Sequence, residues 1–227
     1  MAKLFSQIDH LVVTAPSLRV GTEYLHDMLG FIPQPGGEHP EMGTHNALLR
    51  VGLTTYIEVL AVNPKGKGPV GRRWFEIDQS DSTEPQLRAW VVHTTDIRAV
   101  AKSATVNLGP IKQMSRDSFE WLITIPKNGK IPLDGVGPAL IQWTTDAYPA
   151  ASLTPSGCKL SKLVLQHPQP NEVKALLDSI GFREQGVEVK LTEGAPCLIM
   201  TIETPQRTVV MHSLRKPHLN TINLRQK

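Results

Sequence analysis

The sequence predicts an α+β protein built from repeated βαβββ modules. The segment Ile8-Asp9-His10-Leu11-Val12-Val13 returns as Leu160-Ser161-Lys162-Leu163-Val164-Leu165. Each copy leads into a turn, an amphipathic helix and a Gly-Phe pair, first Gly30-Phe31 and then Gly181-Phe182. A strand–helix unit that recurs within one chain is an architectural signature. A third observation is size. At 227 residues, 40% of them hydrophobic, the chain can bury one large core or two smaller ones.

The elements follow in order. Residues 8–14 read as a strand, with Leu11 and Val13 on one face and Ile8, His10 and Val12 on the other. Pro16 and Ser17 open a helix whose apolar stripe is Val20, Tyr24, Leu25 and Met28. Gly30 is placed to end it in a left-handed conformation. A Pro/Gly-rich loop over 33–43 precedes strands over 44–51 and 54–62, joined by a tight turn at Gly52-Leu53. A polar connector, 63–86, holds a helical turn near Trp74-Phe75. The second unit has strands over 87–93, 111–115, 119–126 and 139–144. Its short helix, 97–104, has Asp96 as N-cap. A loop, 127–138, lies before its last strand. A linker, 146–155, leads to the third unit. There the strands span 161–166, 186–192, 197–204 and 207–212, and the helix spans 171–180 with Asn171 as its cap. Pro205-Gln206 makes the last turn, and the tail after Lys216 is polar and expected to be loose.

Composition narrows the function. A formal net charge of +3 with dispersed basic residues gives no nucleic-acid footprint. No apolar run reaches the roughly 18–20 residues of a membrane span. Cys158 and Cys197 have no disulfide or zinc spacing and read as reduced thiols. Residues 1–6 lack a signal-peptide core, so the expected location is cytoplasmic. Asp134-Gly135-Val136-Gly137 lacks the setting of a phosphate loop, and no Gly-Xaa-Ser-Xaa-Gly elbow is present. His10 and Glu58 sit amid apolar residues on strands, and burying either without a partner is unfavourable. Imidazole plus carboxylate suits a divalent ion. It equally suits a core His–Glu hydrogen bond with no metal.

Four segments together resemble the vicinal oxygen chelate superfamily, in particular its glyoxalase-like domain proteins. They are Ile8 to Val13, Leu29-Gly30-Phe31, Gly43-Thr44-His45-Asn46-Ala47-Leu48 and Tyr56-Ile57-Glu58-Val59-Leu60. The resemblance implies that two βαβββ modules, about 7–62 and 87–145, pair to form an open curved-sheet cup within a domain spanning 1–150. The third module, 151–227, is then structural or dimerising. It also implies a divalent metal (Zn, Mn, Fe or Ni) held by His10, Glu58 and Gln142. The second module has Ala89 where a ligand histidine would stand, and His93 lies two pleats along from Val91. The third has Lys162 in that place. The resemblance makes Glu58 and His45 the catalytic candidates, and His45, Tyr56 and His93 the lining of the substrate cavity. Trp90 and Trp143 are read as facing away from the cup, towards the helices.

The function implied is that of a metal-dependent enzyme of lyase, isomerase or oxygenase type acting on a small oxygenated substrate. The alternative is a metal-free protein that binds or sequesters a small molecule, its metal site vestigial. A symmetric homodimer is expected from the third unit. Its strand Cys197-Leu198-Ile199-Met200-Thr201-Ile202 is apolar on both faces and costly to leave in water.

Overall fold

The computed structural model describes residues 4–79, 83–145 and 148–213. The opening and closing segments and the start of the 146–155 linker therefore lie outside the described residues. The first module consists of β1 (Ser6–Thr14), α1 (Leu18–Leu29), β2 (Gln34–His39), β3 (Thr44–Arg50) and β4 (Tyr56–Val62). The second consists of β5 (Gln86–Thr94), α2 (Ile97–Ser103), β6 (Ile111–Arg116), β7 (Phe119–Thr124) and β8 (Ala139–Trp143). A short helix, α3 (Pro149–Ser152), precedes β9 (Lys159–His167), α4 (Pro170–Ser179), β10 (Val187–Leu191), β11 (Cys197–Glu203) and β12 (Thr208–His212).

Strands β1 to β8 form one curved sheet in the order β2-β3-β4-β1-β5-β8-β7-β6. Within each module the first strand pairs parallel with the last, β1 with β4 and β5 with β8. The modules join where β1 and β5 pair antiparallel. The two edges of the sheet come together. A Cβ on Gly37 of β2 would lie 2.7 Å from Cδ of Arg116 on β6, so the close approach requires glycine. The result is the nearly closed cup of a glyoxalase-like α+β fold.

Local chemistry accounts for the helices. Ser17 caps α1 by accepting from Val20 N, and Gly30 ends it at φ 82°. Asp96 caps α2 through Ala99 N. The expectation for α4 needs correction. Its N-cap is Gln169, with Pro170 in the first turn, where a missing N–H costs nothing. Strand β2 also lies inside the stretch read as a loop, because a Pro-Gly-Gly edge strand with a bulge lacks the usual strand signature.

Two apolar layers share the sheet. The convex layer takes Leu11, Val13, Val59, Leu87, Trp90 and Leu140, together with Leu25 and Val100 of the helices. The cup holds Val12, Leu60, Ala89, Val91, Trp121, Ile123, Ala139 and Ile141. Trp90 faces the convex layer, where Phe182 meets it edge-on at 5.4 Å. Trp143 does not: it packs in the cup against Trp121.

The third unit forms a separate four-stranded sheet, β10-β9-β11-β12. Leu163, Leu165, Leu198, Met200 and Met211 belong to the same core as Leu11 and Trp90. Ser6 N donates to Gly181 O, and Arg207 Nη2 donates to the Asp27 and Met28 carbonyls at the end of α1. The third unit thus covers the outside of the cup within its own chain.

Candidate functional site

The site begins with a bulge. Ile8 pairs with Val92 and His10 with Val91, so the β1–β5 register skips Asp9. One extra residue breaks the two-residue alternation. Ile8 moves to the convex layer beside Leu11, and Asp9 and His10 both turn into the cup. Asp9 is fully buried. It accepts from Trp143 Nε1 at 2.8 Å and from the Tyr148 hydroxyl at 2.8 Å, and it contacts His10 Nδ1 at 2.6 Å.

His10 continues the chain. Its Nε2 lies 3.5 Å from Glu58 Oε2, and its ring stacks on Tyr56 at 4.7 Å. Burial alone lowers the pKa of the imidazole. The bonds to Asp9 and Glu58, and their charges, outweigh that and lift it to about 9. Burial likewise raises Glu58, but the contact with His10 and the hydrogen bond from Asn46 Nδ2 at 2.5 Å bring it down to about 2. For Asp9, too, burial is outweighed by His10, Trp143 and Tyr148, and the carboxyl is lowered. At neutral pH the three form a buried carboxylate–imidazolium–carboxylate chain.

His39 on β2 closes one end. Its Nδ1 meets Thr44 Oγ1 at 3.0 Å, and its Nε2 lies 3.4 Å from Asn46 Nδ2. A neutral ring with its proton on Nδ1 satisfies both contacts. Burial, with Arg116, His10 and His45 nearby, lowers it to about 4, although Glu58 pulls the other way. Trp74 and Trp121 meet the His39 ring edge-on at 5.0 and 6.0 Å. At the other end His93 meets Tyr148 edge-on at 5.5 Å. Among the described residues, Trp74 Nε1 and His93 Nδ1 are buried without a hydrogen-bond partner.

His10, Glu58, Tyr56 and His93 therefore share the cup. His45 and Gln142 do not. Thr44, Asn46 and Leu48 of β3 turn towards Glu58, with Leu48 directly opposite it, so His45 points to the convex side. Gln142 follows Leu140 outward, and its Oε1 accepts from Ile97 N at the start of α2. A carbonyl spent on a helix terminus outside the cup cannot reach an ion inside it. Asp9, His39, Asn46, Trp143 and Tyr148 were not anticipated as site residues.

The donor set does not fit a divalent ion. His10 Nε2 and Glu58 Oε2 face each other at 3.5 Å, and with Gln142 turned outward they are the only two side chains of the expected set that meet. The second module contributes Ala89, Ala139 and Ile141 to the cup. Among the described residues, no group of three or more His, Cys, Asp or Glu is arranged to hold a metal.

With fold and site described, comparison defines the class. The chain belongs to the glyoxalase-like domain family, whose model matches residues 8–181. This places it in the vicinal oxygen chelate superfamily. Among solved structures, a hypothetical protein from Staphylococcus aureus is similar at 17% identity and TM-score 0.56, over 91% of this chain and 84% of that one. Methylmalonyl-CoA epimerase from Mycobacterium tuberculosis is similar at 19% identity and TM-score 0.41, over 60% of this chain and 85% of that one. A methylmalonyl-CoA epimerase in complex with methylmalonyl-CoA and NH4+ is similar at 16% identity and TM-score 0.40, over 63% and 96%. No curated protein matches the chain. Among the described residues, no helix is long and apolar enough to cross a membrane.

Proposed function

We propose that this chain is a small-molecule-binding glyoxalase-like protein whose cup recognises its ligand without a metal. The observation that carries this is the pairing of His10 with both Asp9 and Glu58. The residues that resemble the superfamily's ligand pair are engaged with each other. Their pKa values, about 9 and about 2, stand far apart on either side of neutrality.

The remainder of the cup is aromatic. Trp74, Trp121, Trp143, Phe119 and Tyr148 gather there, although aromatic residues make up only 5% of the chain. Such a wall favours a small ligand with a planar or apolar body. Trp74 Nε1 and His93 Nδ1, buried and unpartnered, supply polar contacts for its oxygens. The turn carrying Trp74 holds Phe75 and Glu76 at φ 54°, a costly conformation for residues with side chains. Residues 1–150 form the binding domain in this proposal, and 151–227 brace it from outside.

The test is tryptophan fluorescence of chelator-treated protein against a panel of 2-hydroxy acids, 2-oxo acids and catechols. Saturable quenching by at least one compound is expected, unchanged by added divalent ions. Binding or turnover that appears only with Zn, Mn, Fe or Ni would restore the metal-dependent enzyme reading.

A further inference from the structure

Strand β6 brings a buried cation to the cup. Met114 and Arg116 lie two residues apart on β6 and share a face, and Met114 belongs to the apolar layer of the cup. Arg116 is only 7% exposed. Its guanidinium carbon stands 5.5 Å from the centre of the Phe119 ring, and Phe119 meets Trp143 at 6.0 Å. Its charge reaches the floor of the cup. Burial and the charges of Asp9 and Glu58 raise the pKa of Tyr56, and Arg116 opposes them. Yet among the described residues Arg116 forms no ion pair and donates no hydrogen bond. Contact with one aromatic face leaves its five N–H donors unused. A buried charge without a partner is costly, so a guanidinium held this way points to an acceptor from outside the chain.

The carboxylates of the cup are already engaged. Asp9 accepts from Trp143 and Tyr148 and meets His10, and Glu58 accepts from Asn46 and faces His10. The groups left over are donors. They are the Arg116 guanidinium and the indole N–H of Trp74, whose ring meets His39 edge-on. A ligand that completes them brings oxygen lone pairs and negative charge. Resting on the cup as the proposed binding site, we infer that its ligand is an aromatic monocarboxylate. The carboxylate pairs with Arg116, and the ring lies against Phe119, Trp121 and Trp143. One guanidinium answers one negative charge in a two-bond fork. A dianion such as a phosphate monoester fits less well, because Asp9 and Glu58 already outnumber the imidazolium of His10.

A matched series tests this on the full chain. Benzoate, phenylacetate and mandelate are each titrated beside the corresponding primary amide, with catechol as a neutral ring that also carries oxygens. Binding is followed by calorimetry at pH 7. At least one acid should bind saturably and roughly tenfold tighter than its amide, the scale of one hydrogen bond to a charged group. Arg116→Met keeps the apolar stem and removes the charge. It should bring the acid down to the affinity of its amide and leave the amide unchanged. Arg116→Lys keeps a charge without the fork, and it covers the case in which Arg116→Met fails to fold. It should weaken the acid and spare the amide. An amide that binds as well as its acid would overturn the assignment, and so would an acid whose affinity neither variant changes. Binding of an amide or catechol but of no acid would overturn it while leaving the cup a binding site. No binding by any compound would remove the cup reading as well.

Discussion

Glu58→Gln isolates the buried chain of charges, because it keeps the shape of the side chain and removes one carboxylate from His10. The magnitude can be worked from Glu58. The fall of Glu58 from 4.5 to about 2 corresponds to about 3 kcal/mol, and so does the rise of His10 from 6.5 to about 9. The rise of His10 owes more to Asp9 than to Glu58, so the two figures are not added and the fall of Glu58 sets the scale. The figure also sits at the lower end of the roughly 3–5 kcal/mol expected when one partner of a buried pair is removed. The sign follows from linkage. The contribution of His10 is fully present below pH 6.5 and is lost as pH rises through about 9. That of Glu58 is present above 4.5 and is lost as pH falls towards about 2. His39, lowered to about 4, adds to the acid side, since stability falls as pH drops from 6.5 to 4. Wild-type stability should therefore peak near pH 6.5. Urea denaturation of wild type and Glu58→Gln at pH 6.5 and 9.5 is the assay. The variant should be about 3 kcal/mol less stable at pH 6.5. The gap should narrow at pH 9.5, where wild-type His10 has lost its proton. A variant within ~0.5 kcal/mol of wild type at pH 6.5, the range of an ordinary surface change, would refute the reasoning. So would a wild type whose stability is flat from pH 6.5 to 9.

Asp9→Asn should cost roughly 3–5 kcal/mol in urea denaturation, because it leaves a buried imidazolium with one carboxylate. It should also change the emission of Trp143, whose indole loses a charged acceptor. Elemental analysis of protein supplemented with Zn, Mn, Fe or Ni and then desalted should find no stoichiometric ion. Stoichiometric metal in wild type that vanishes in His10→Ala would return both residues to ligand roles. Deletion of 160–227 should unfold the remainder, since Leu163, Leu198 and Met200 complete the core around Trp90. A soluble, cooperatively melting fragment 1–159 would contradict that packing. The packing covers Leu198, Met200 and Ile202 on the inner face of β11 and leaves Ile199 only half-buried on the outer face. Light scattering at micromolar concentration tests whether that outer face pairs two copies in the expected homodimer.

Much of the fold was legible in the sequence, because helices and hairpins are specified locally. Ser17, Gly30 and Asp96 announce their caps by chemistry that operates over three or four residues. The site was legible only in part, and the errors share one cause: side-chain parity. In a strand, a one-residue slip sends every side chain to the opposite face. Gln142 was assigned to the cup by aligning β8 with β4. The pairing of Val91 with Ala139 instead sends Ala139, Ile141 and Trp143 inward and Gln142 outward. His45 was chosen because its motif resembled a family segment. A two-residue turn at Gly52-Leu53 would set Ala47 opposite Glu58 and keep His45 on its face; the observed turn is one residue longer, with Val51 N bonded to Thr55 O, so Leu48 lies opposite Glu58 and Asn46 takes that face instead.

Asp9 is a different case. On a regular strand it belongs with Leu11 and Val13 in the apolar layer, where a carboxylate would be prohibitively costly. That conflict was present in the motif Ile8-Asp9-His10-Leu11. A strand cannot bury Ile8, Leu11 and Val13 together and keep Asp9 polar unless it gains a residue between Ile8 and Leu11. The bulge is the resolution, and it sets two ionisable side chains next to each other in the cup. Where apolar periodicity and a buried acid disagree within one strand, a break in register is therefore a physical expectation. Here that break supplies the carboxylate that holds His10 protonated.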